Sequence, residues 1–301
     1  MPIPKITFIV ASYNYEDYLS ENLCSLINQW RKDNPFEILV VDDGSSDNSL
    51  TIAEKFASVH PFIRVLTHKF RENKGLGASL HLALQYVSTE WTAFLESDDV
   101  SKAETVERIL SEVNSNSFGL CFFDIEPLIE KNASLGWFNS YVPRMRNLML
   151  DRGADKFAVD LGFEMLKENL IPTFSCALVR TNLLRQCSFD SPVSGWIDWY
   201  LWIQSSQKTK VRFIDEKLVK WRLHAGSQNN KKKLVSYMYQ YSIFRAYVRQ
   251  KISKMDVEDK SSKIIFLSLP SIIPLGMRLL KMTGYVGLTH VVKEIYRRIV
   301  K

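Results

Sequence analysis

Hydrophobic and polar positions follow two alternating patterns along the first 125 residues. Between short apolar runs lie amphipathic stretches with the three- to four-residue spacing of a helix, as in residues 19–27 and 106–113. The runs themselves are rich in β-branched and aromatic residues and end in turn residues, which predicts strands at Ile6–Ala11, Glu37–Val41, Arg64–Thr67, Trp91–Leu95 and Leu120–Phe123. Strand–helix alternation predicts an α/β fold with a mostly parallel central sheet flanked by helices.

The pattern changes in the second part of the chain. Residues 126–154 show no clear period and are interpreted as a long loop. Regular structure is predicted again downstream, at Phe163–Leu170, Phe174–Val179, Ile197–Ser206, Val211–Ile214 and Leu218–Leu223. These patterns predict one domain over residues 1–230, with halves at 1–125 and 126–230, and a helical C-terminal extension at 231–301.

Charge and hydropathy set this C-terminal region apart. The chain carries a net charge of +6, and residues 244–301 hold 12 Lys/Arg against 4 Asp/Glu, which leaves the rest at −2. A basic end of this kind indicates anionic lipid or another polyanion as a neighbour, or a solvated helix face. Its apolar, uncharged stretch at residues 264–277 is shorter than the roughly 20 residues of a membrane-spanning helix. With no signal peptide and no paired-cysteine motif, the chain is expected in the cytoplasm, either free or peripheral at the inner face of the cell membrane.

Polar residues follow the predicted strands. Ligands of parallel α/β sheets lie beyond the carboxyl ends of the strands, so these residues predict a binding site at one edge. The segments are Ser12-Tyr13-Asn14, Asp42-Asp43-Gly44-Ser45-Ser46-Asp47, Arg71-Glu72-Asn73-Lys74-Gly75 and Glu96-Ser97-Asp98-Asp99.

The acidic segment is the sharpest chemical signal. Glu96, Asp98 and Asp99 place three carboxylates within four residues, and their mutual repulsion would be relieved by a divalent cation. Carboxylate and phosphate oxygens are the ligands that Mg²⁺ and Mn²⁺ prefer. The alternative is that Asp98 or Asp99 caps a helix beginning near Lys102. Both interpretations remain open at this point.

Taken in chain order, these strand-end segments resemble those of the family 2 inverting glycosyltransferases, which have the GT-A fold. Residues 195–202 look like the family's catalytic-base helix, and residues 218–224 look like its late Arg–His segment. The resemblance covers roughly residues 4–229. Two positions depart from the family pattern: Glu96 stands where the metal motif usually opens with Asp, and Ile197 stands where an acid usually precedes the base.

The resemblance implies that a sugar passes from a nucleoside diphosphate, most often UDP, to a hydroxyl of a glycan or lipid-linked acceptor. Asp198 would be the general base of a single displacement, Asp98 and His224 would hold Mn²⁺ or Mg²⁺, and Trp196 and Trp199 would contact the acceptor. Nucleotide binding would involve Ser12, Tyr13, Asn14, Asp42, Asp43, Asn73, Lys74, Gly75, Glu96 and Ser97.

Within that set, Tyr13 would stack on the base, and Asp43 is preferred to Asp42 as acceptor for a uracil N–H. Each residue also has a purely structural interpretation. Asp198 suits a helix N-terminus, His224 suits a turn, Tyr13 suits a core, and the tryptophans suit a buried helix face.

Other functions are weighed against this one. The first strand is not followed by GxGxxG and the chain lacks a P-loop, which argues against a dinucleotide-dependent oxidoreductase and a P-loop enzyme. The remaining alternatives are a non-catalytic nucleotide-sugar or glycan-binding relative and a nucleotidyltransferase. By resemblance, bacterial surface-polysaccharide assembly (lipopolysaccharide or capsule) is the expected setting, with no nucleic-acid partner. The C-terminal region would bind a membrane surface or form a homo-oligomer contact.

Overall fold

The computed structural model describes residues 3–114, 117–131, 133, 135–191, 194–224, 241, 243–245 and 247–248. The chain forms two compact units, Met1–Ser227 and Gln228–Lys301. In the second unit the described residues are helical, and the rest of the predicted C-terminal extension lies outside the described residues. Among the helices of the described part, none is long and apolar enough to cross a membrane.

The described part of the first unit contains one eight-stranded sheet with the order β3-β2-β1-β4-β7-β6-β8-β5. Its strands are β1 (Ile6–Ser12), β2 (Glu37–Asp42), β3 (Ile63–Thr67), β4 (Trp91–Phe94), β5 (Val100–Ser101), β6 (Leu120–Ile129), β7 (Ala177–Arg180) and β8 (Val211–Leu223). The helices are α1 (Leu19–Ile27), α2 (Ser49–Val59), α3 (Leu76–Tyr86), α4 (Thr105–Glu112), α5 (Gly136–Asp151), α6 (Gly162–Lys167), α7 (Thr181–Leu184) and α8 (Ile197–Ser206).

The sheet is parallel in its first half and mixed in its second. Strand β1 pairs in parallel with β2 and β4, and β2 pairs in parallel with β3. Strand β7 then runs antiparallel to both β4 and β6, while β6 and β8 are parallel. Strands β2 and β4 are almost wholly buried, as expected for parallel strands covered on both faces. The predicted α/β fold is confirmed, and β1, β2 and β4 all end at the same edge.

The prediction of a long loop over residues 126–154 is wrong. Strand β6 continues to Ile129, and α5 occupies most of the remainder. The helix contains Pro143, a residue that usually ends or kinks helices, and its polar content hides the apolar period. Its apolar face is nevertheless buried, with Tyr141, Met145 and Met149 in the core. The two predicted strands at 211–214 and 218–223 are likewise one continuous strand, β8.

A close contact joins the two halves of the first unit. Gly77 lies in the first turn of α3, and a Cβ atom added there would stand 2.6 Å from the carbonyl oxygen of Phe189 and 2.8 Å from Cδ1 of Ile197. Both neighbours belong to the segment that leads into or begins α8. The absence of a side chain at Gly77 therefore allows α3 to lie directly against the start of α8.

Gly77→Ala is expected to destabilise the protein by about 1–3 kcal/mol, because a backbone carbonyl cannot move aside as a flexible side chain would. The free energy of unfolding, measured by denaturant titration, checks this prediction. Ala78→Ser changes an exposed position of the same helix and is the matched control, expected within roughly 0.5 kcal/mol of the wild type. Equal stabilities for the two variants would contradict the described packing.

Candidate active site

The carboxyl ends of β1 and β2 are fixed to each other by hydrogen bonds. The backbone N–H of Asp43 donates to the carbonyl of Ser12 at 2.8 Å. Asn14 adopts a positive φ of 59° and its side-chain oxygen accepts from the backbone N–H of Ser46 at 2.8 Å. Tyr13 stands between these anchored positions with 46% of its surface exposed. An accessible ring is what a stacking role requires, and that role stays a prediction.

The two aspartates after β2 differ in what they bind. Asp43 is nearly buried and its two oxygens accept from the backbone N–H groups of Lys74 at 2.8 Å and Gly75 at 2.9 Å. His68 lies 3.4 Å from the same carboxylate. Asp43 therefore organises the loop that carries Asn73, Lys74 and Gly75, and its acceptor capacity is largely used.

Asp42 retains acceptor capacity. One of its oxygens accepts from the backbone N–H groups of Gly44 and Ser45 at 3.1 and 3.0 Å. Its other oxygen, Oδ1, is buried without a hydrogen-bond partner, and so is Oγ of Ser12. Since Ser12 and Asp42 are register partners across β1 and β2, both orphaned groups lie at the end of the same strand pair.

The acidic segment after β4 is held by hydroxyl groups from the residues before β7. The hydroxyl of Thr173 donates to the carboxylate of Glu96, and the backbone N–H of Glu96 donates to Oγ of Ser175 at 2.8 Å. The same Ser175 hydroxyl donates to the buried carboxylate of Asp99. Ser97 points away from this cluster and donates to the carbonyl of Ala11 at 2.7 Å, which ties β4 to β1.

Burial and repulsion perturb these carboxylates strongly. Burial, together with the negative charge of Asp98, raises the pKa of Glu96 to about 8 and raises the pKa of Asp99 well above its usual value. The charges of Asp98, Glu96 and Asp99 also raise the pKa of Tyr15, although burial of the phenol is the larger cause. Such repulsion is what a bound cation would relieve.

Neither Asp98 nor Asp99 caps a helix. Helix α4 begins at Thr105, its N-cap residue is Glu104, and the cap makes no side-chain hydrogen bond. Instead, one oxygen of Asp99 accepts from the backbone N–H of Arg222 at 2.8 Å. The capping interpretation of the acidic segment is therefore wrong.

Asp98 is paired with the histidine at the end of β8. Nε2 of His224 lies 3.1 Å from Oδ2 of Asp98, and both side chains are mostly but not wholly buried. The tyrosine ring of Tyr18 packs against the imidazole at 4.9 Å between centroids. The sequence assigned Asp98 and His224 to one site, and the structure brings them together.

Arg222 supports this pair, a role that the sequence pattern did not predict. Its Nε donates to the main-chain oxygen of Asp98 at 2.7 Å, and its guanidinium lies 5.0 Å from the centre of the Tyr18 ring. The remaining guanidinium nitrogens bind Glu21 and Glu130. The Arg–His segment named by resemblance pointed to this region but gave no partner for the arginine.

The Asp98–His224 pair fits a divalent cation whose remaining ligands come from the phosphates of a substrate. Among the described residues, no group of three or more His, Cys, Asp or Glu side chains is placed to hold a metal. Magnesium in nucleotide sites typically needs only one or two protein carboxylates, because substrate phosphates complete the coordination. One carboxylate and one imidazole, beside carboxylates that repel each other, fit such a shared site.

Asp198 faces the acidic cluster from α8. It lies in the first turn of that helix, where the helix dipole favours a negative charge, and Nδ2 of Asn169 donates to its Oδ2 at 3.0 Å. Its charge is also one of the causes that raise the pKa of Glu96, which places the two carboxyl groups within electrostatic reach. The site thus combines residues from both halves of the unit.

The aromatic residues around Asp198 are packed inside the fold. Trp196 and Trp199 are only 8% and 5% exposed, and the indole N–H of Trp199 donates to the carbonyl of Met165 at 2.7 Å. Tyr200 and Trp202 are buried as well. The structure shows a core role for these rings, and an acceptor contact by Trp196 or Trp199 stays a prediction.

The mixed α/β sheet of the first unit has the fold of the GT-A glycosyltransferases. Residues 7–187 match the model of Glycosyl transferase family 2. The chain belongs to this family and is a sugar transferase.

Named relatives cover most of the chain. An uncharacterized glycosyltransferase of Haemophilus influenzae is 27% identical over 75% of this chain and 68% of its own length. The Escherichia coli UDP-Glc:alpha-D-GlcNAc-diphosphoundecaprenol beta-1,3-glucosyltransferase WfgD is 28% identical over 75% of this chain and 80% of its own length.

Solved structures share the fold at low identity. Staphylococcus aureus TarS 1-349 in complex with UDP-GlcNAc has a TM-score of 0.66 and 20% identity, over 88% of this chain and 70% of TarS 1-349. The mannosyltransferase PcManGT from Pyrobaculum calidifontis, in complex with GDP-Man and Mn²⁺, has a TM-score of 0.57 and 16% identity, over 99% of this chain and 81% of its own.

The raised pKa of Glu96 predicts a pH-dependent stability in metal-free protein. A folded-state pKa raised from 4.5 to about 8 stabilises the fold below the lower value, and that contribution is lost as the pH rises through the upper one. The free energy of unfolding of wild type minus that of Glu96→Gln should therefore decrease as the pH is raised from about 4.5 to about 8. Denaturant titrations in EDTA measure it.

The exposed Glu54 of α2 supplies the matched control, since Glu54→Gln alters a solvated carboxylate on another helix. A wild-type-minus-Glu96→Gln difference that stays flat or rises with pH would contradict the described burial of Glu96.

Proposed function

We propose that this glycosyltransferase is an inverting enzyme that moves a sugar from a UDP-sugar to a hydroxyl of a glycan or lipid-linked acceptor during bacterial surface-polysaccharide assembly. The observation that carries the proposal is the Asp98–His224 pair at the strand-end edge, with Asp198 approaching the same cluster from α8. The similar proteins that bind UDP-GlcNAc and GDP-Man, or whose name specifies UDP-Glc, support a nucleotide-sugar donor.

The nucleotide would lie along the ends of β1 and β2 and the loop before α3. Tyr13 offers an exposed ring for stacking, and Asp43 or its neighbour Asp42 would accept from a base N–H. Asn73 and Lys74 are exposed on the loop that Asp43 fixes, where a diphosphate or ribose would meet them.

Asp98 and His224 would hold Mn²⁺ or Mg²⁺, with the phosphates of the donor as further ligands. When bound, the cation would neutralise the charge that develops on the departing diphosphate. Glu96 is held by Thr173 and would contribute its carboxylate to the same environment, directly or through a water or ribose hydroxyl. The Mn²⁺ in the complex of the mannosyltransferase from Pyrobaculum calidifontis supports a divalent cation.

Asp198 would act as the general base. Its carboxylate would take the proton from the acceptor hydroxyl as that oxygen forms a bond to the anomeric carbon, and the electron pair of the breaking carbon–oxygen bond would pass to the diphosphate. Attack opposite the leaving group inverts the anomeric configuration. Such base catalysis typically contributes ~10²–10⁴-fold to a rate.

Both residues that depart from the family pattern are compatible with catalysis in this fold. Ile197 is 3% exposed and fills the space beside Gly77, so it contributes to packing without displacing Asp198. Glu96 remains within the acidic cluster, bonded to Thr173. A nucleotidyltransferase would have no use for a base at Asp198, so that alternative receives no support from the site.

The acceptor and the membrane role are proposed on relatives alone. The name of the Escherichia coli enzyme specifies an undecaprenol-linked acceptor, which supports action at the inner face of the cell membrane. The basic residues 231–301 would supply the membrane contact or a homo-oligomer contact. The proposed boundaries remain 1–230 for the catalytic domain, with halves at 1–125 and 126–230.

Calorimetric titration of UDP tests the donor and metal assignments together. Binding is expected with Mn²⁺ and should weaken at least 10-fold in EDTA or in Asp98→Ala, which corresponds to roughly 1.4 kcal/mol. Asp151→Ala changes the last residue of α5, which is exposed, and serves as the matched control. Equal UDP affinity with and without metal would refute the role of Asp98, and absence of any nucleotide binding would favour the non-catalytic alternative.

A further inference from the structure

Asn169 contacts the proposed base although it belongs to no segment singled out by the sequence. It lies two residues beyond the end of α6, and its Nδ2 donates to Oδ2 of Asp198 at 3.0 Å. The contact joins the connection after α6 to the first turn of α8, across 29 residues of chain. A partly buried amide on a partly buried carboxylate is a charge-assisted hydrogen bond of the stronger kind.

The orientation of this amide is fixed by a second contact. The backbone N–H of Ile171 donates to Oδ1 of Asn169 at 3.3 Å, so the side-chain oxygen faces a donor. The nitrogen must then face Asp198, because a flipped amide would place its oxygen against the carboxylate. Asn169 is thereby set to donate to Asp198.

Helix α5 holds the backbone of Asn169 in place. The hydroxyl of Tyr141 donates to the carbonyl of Asn169, and Tyr141 is almost fully buried. One residue earlier, Glu168 accepts two hydrogen bonds from Arg144, one of them at 2.7 Å. These contacts come from the helix that the sequence pattern did not reveal, and they restrain the residue that touches the base.

The charged groups around Asp198 explain how a hydrogen-bond donor would affect the ionisation of its carboxylate. Glu96 faces it from the end of β4, and the charge of Asp198 also raises the pKa of Tyr141, after burial and Glu168. Arg144, the cation that acts on Tyr141, is engaged by Glu168. Negative neighbours disfavour a second ionised carboxylate, whereas a hydrogen-bond donor favours it.

We propose that Asn169 is a positioning residue for Asp198, whose amide fixes the carboxylate and stabilises the ionised form that a general base needs. The inference rests on the proposed role of Asp198 but is testable without turnover. Ile197 leaves the preceding position without charge, and Asn169 supplies an orienting hydrogen bond to Asp198.

The test is an NMR titration of the full chain with ¹³Cγ-labelled aspartate in metal-free buffer. Asp198→Asn identifies the Asp198 signal by its loss. In Asn169→Ala the titration midpoint of that signal should rise by about one pH unit, since a charge-assisted hydrogen bond is lost. The isosteric Asn169→Asp should raise it further by adding a negative neighbour, and it tests the contact even if the alanine variant is poorly folded.

Asn182→Ala, an exposed asparagine of α7, is the matched control and should leave the midpoint in place. An Asp198 midpoint that is the same in wild type and both Asn169 variants, in folded protein, would overturn the proposal. A parallel assay of UDP release from UDP-Glc or UDP-GlcNAc with Mn²⁺ separates the two claims. There, Asn169→Ala should lower kcat at unchanged KM.

If Asp198→Asn releases UDP as fast as wild type, the base assignment fails even where the titration supports the contact. If Asp198→Asn is inactive and Asn169→Ala matches wild type in kcat and midpoint, the base stands and Asn169 is only structural.

Discussion

Repulsion among carboxylates at the end of a buried strand is the constraint on which the rest of the site depends. Glu96, Asp98 and Asp99 follow β4, whose residues are all buried, and water is therefore a poor source of compensation. Each carboxylate is accommodated by different contacts. Asp99 is bound by protein donors, Glu96 takes a hydroxyl and has a raised pKa, and Asp98 is left beside an imidazole.

The groups that contact these carboxylates come from distant parts of the chain, which explains why the two halves form one unit. The hydroxyls of Thr173 and Ser175 precede β7, and Arg222 and His224 end β8. The second half of the first unit therefore does more than carry Asp198. It holds the acidic segment by hydrogen bonds from Thr173, Ser175 and Arg222, and its helix α8 packs against Gly77.

The sequence predicted the parts of this arrangement that follow from local pattern. Apolar runs located β1, β2, β3 and β4, and the rule that parallel strands end together located the acidic edge. What it missed depends on tertiary contacts. Helix α5 contains a proline and a weak apolar period, and its burial is visible only once β6 and β8 are placed.

The individual roles were harder to predict for the same reason. Asp42 and Asp43 are adjacent and chemically identical, and only the fold shows that Asp43 is occupied by the loop at Lys74 and Gly75. Asn169 has no motif around it, so nothing in the sequence links it to Asp198. The tryptophans near Asp198 are of a residue type that commonly packs against sugar rings, but they are buried in the core.

The central claim is that Asp98 and His224 hold a cation shared with the donor diphosphate. Anomalous diffraction from crystals grown with Mn²⁺ and UDP measures this directly. The account predicts a manganese peak within coordination distance of the Asp98 carboxylate and a phosphate oxygen of UDP. A manganese peak remote from Asp98, or ordered UDP at the strand ends without any manganese, would contradict it.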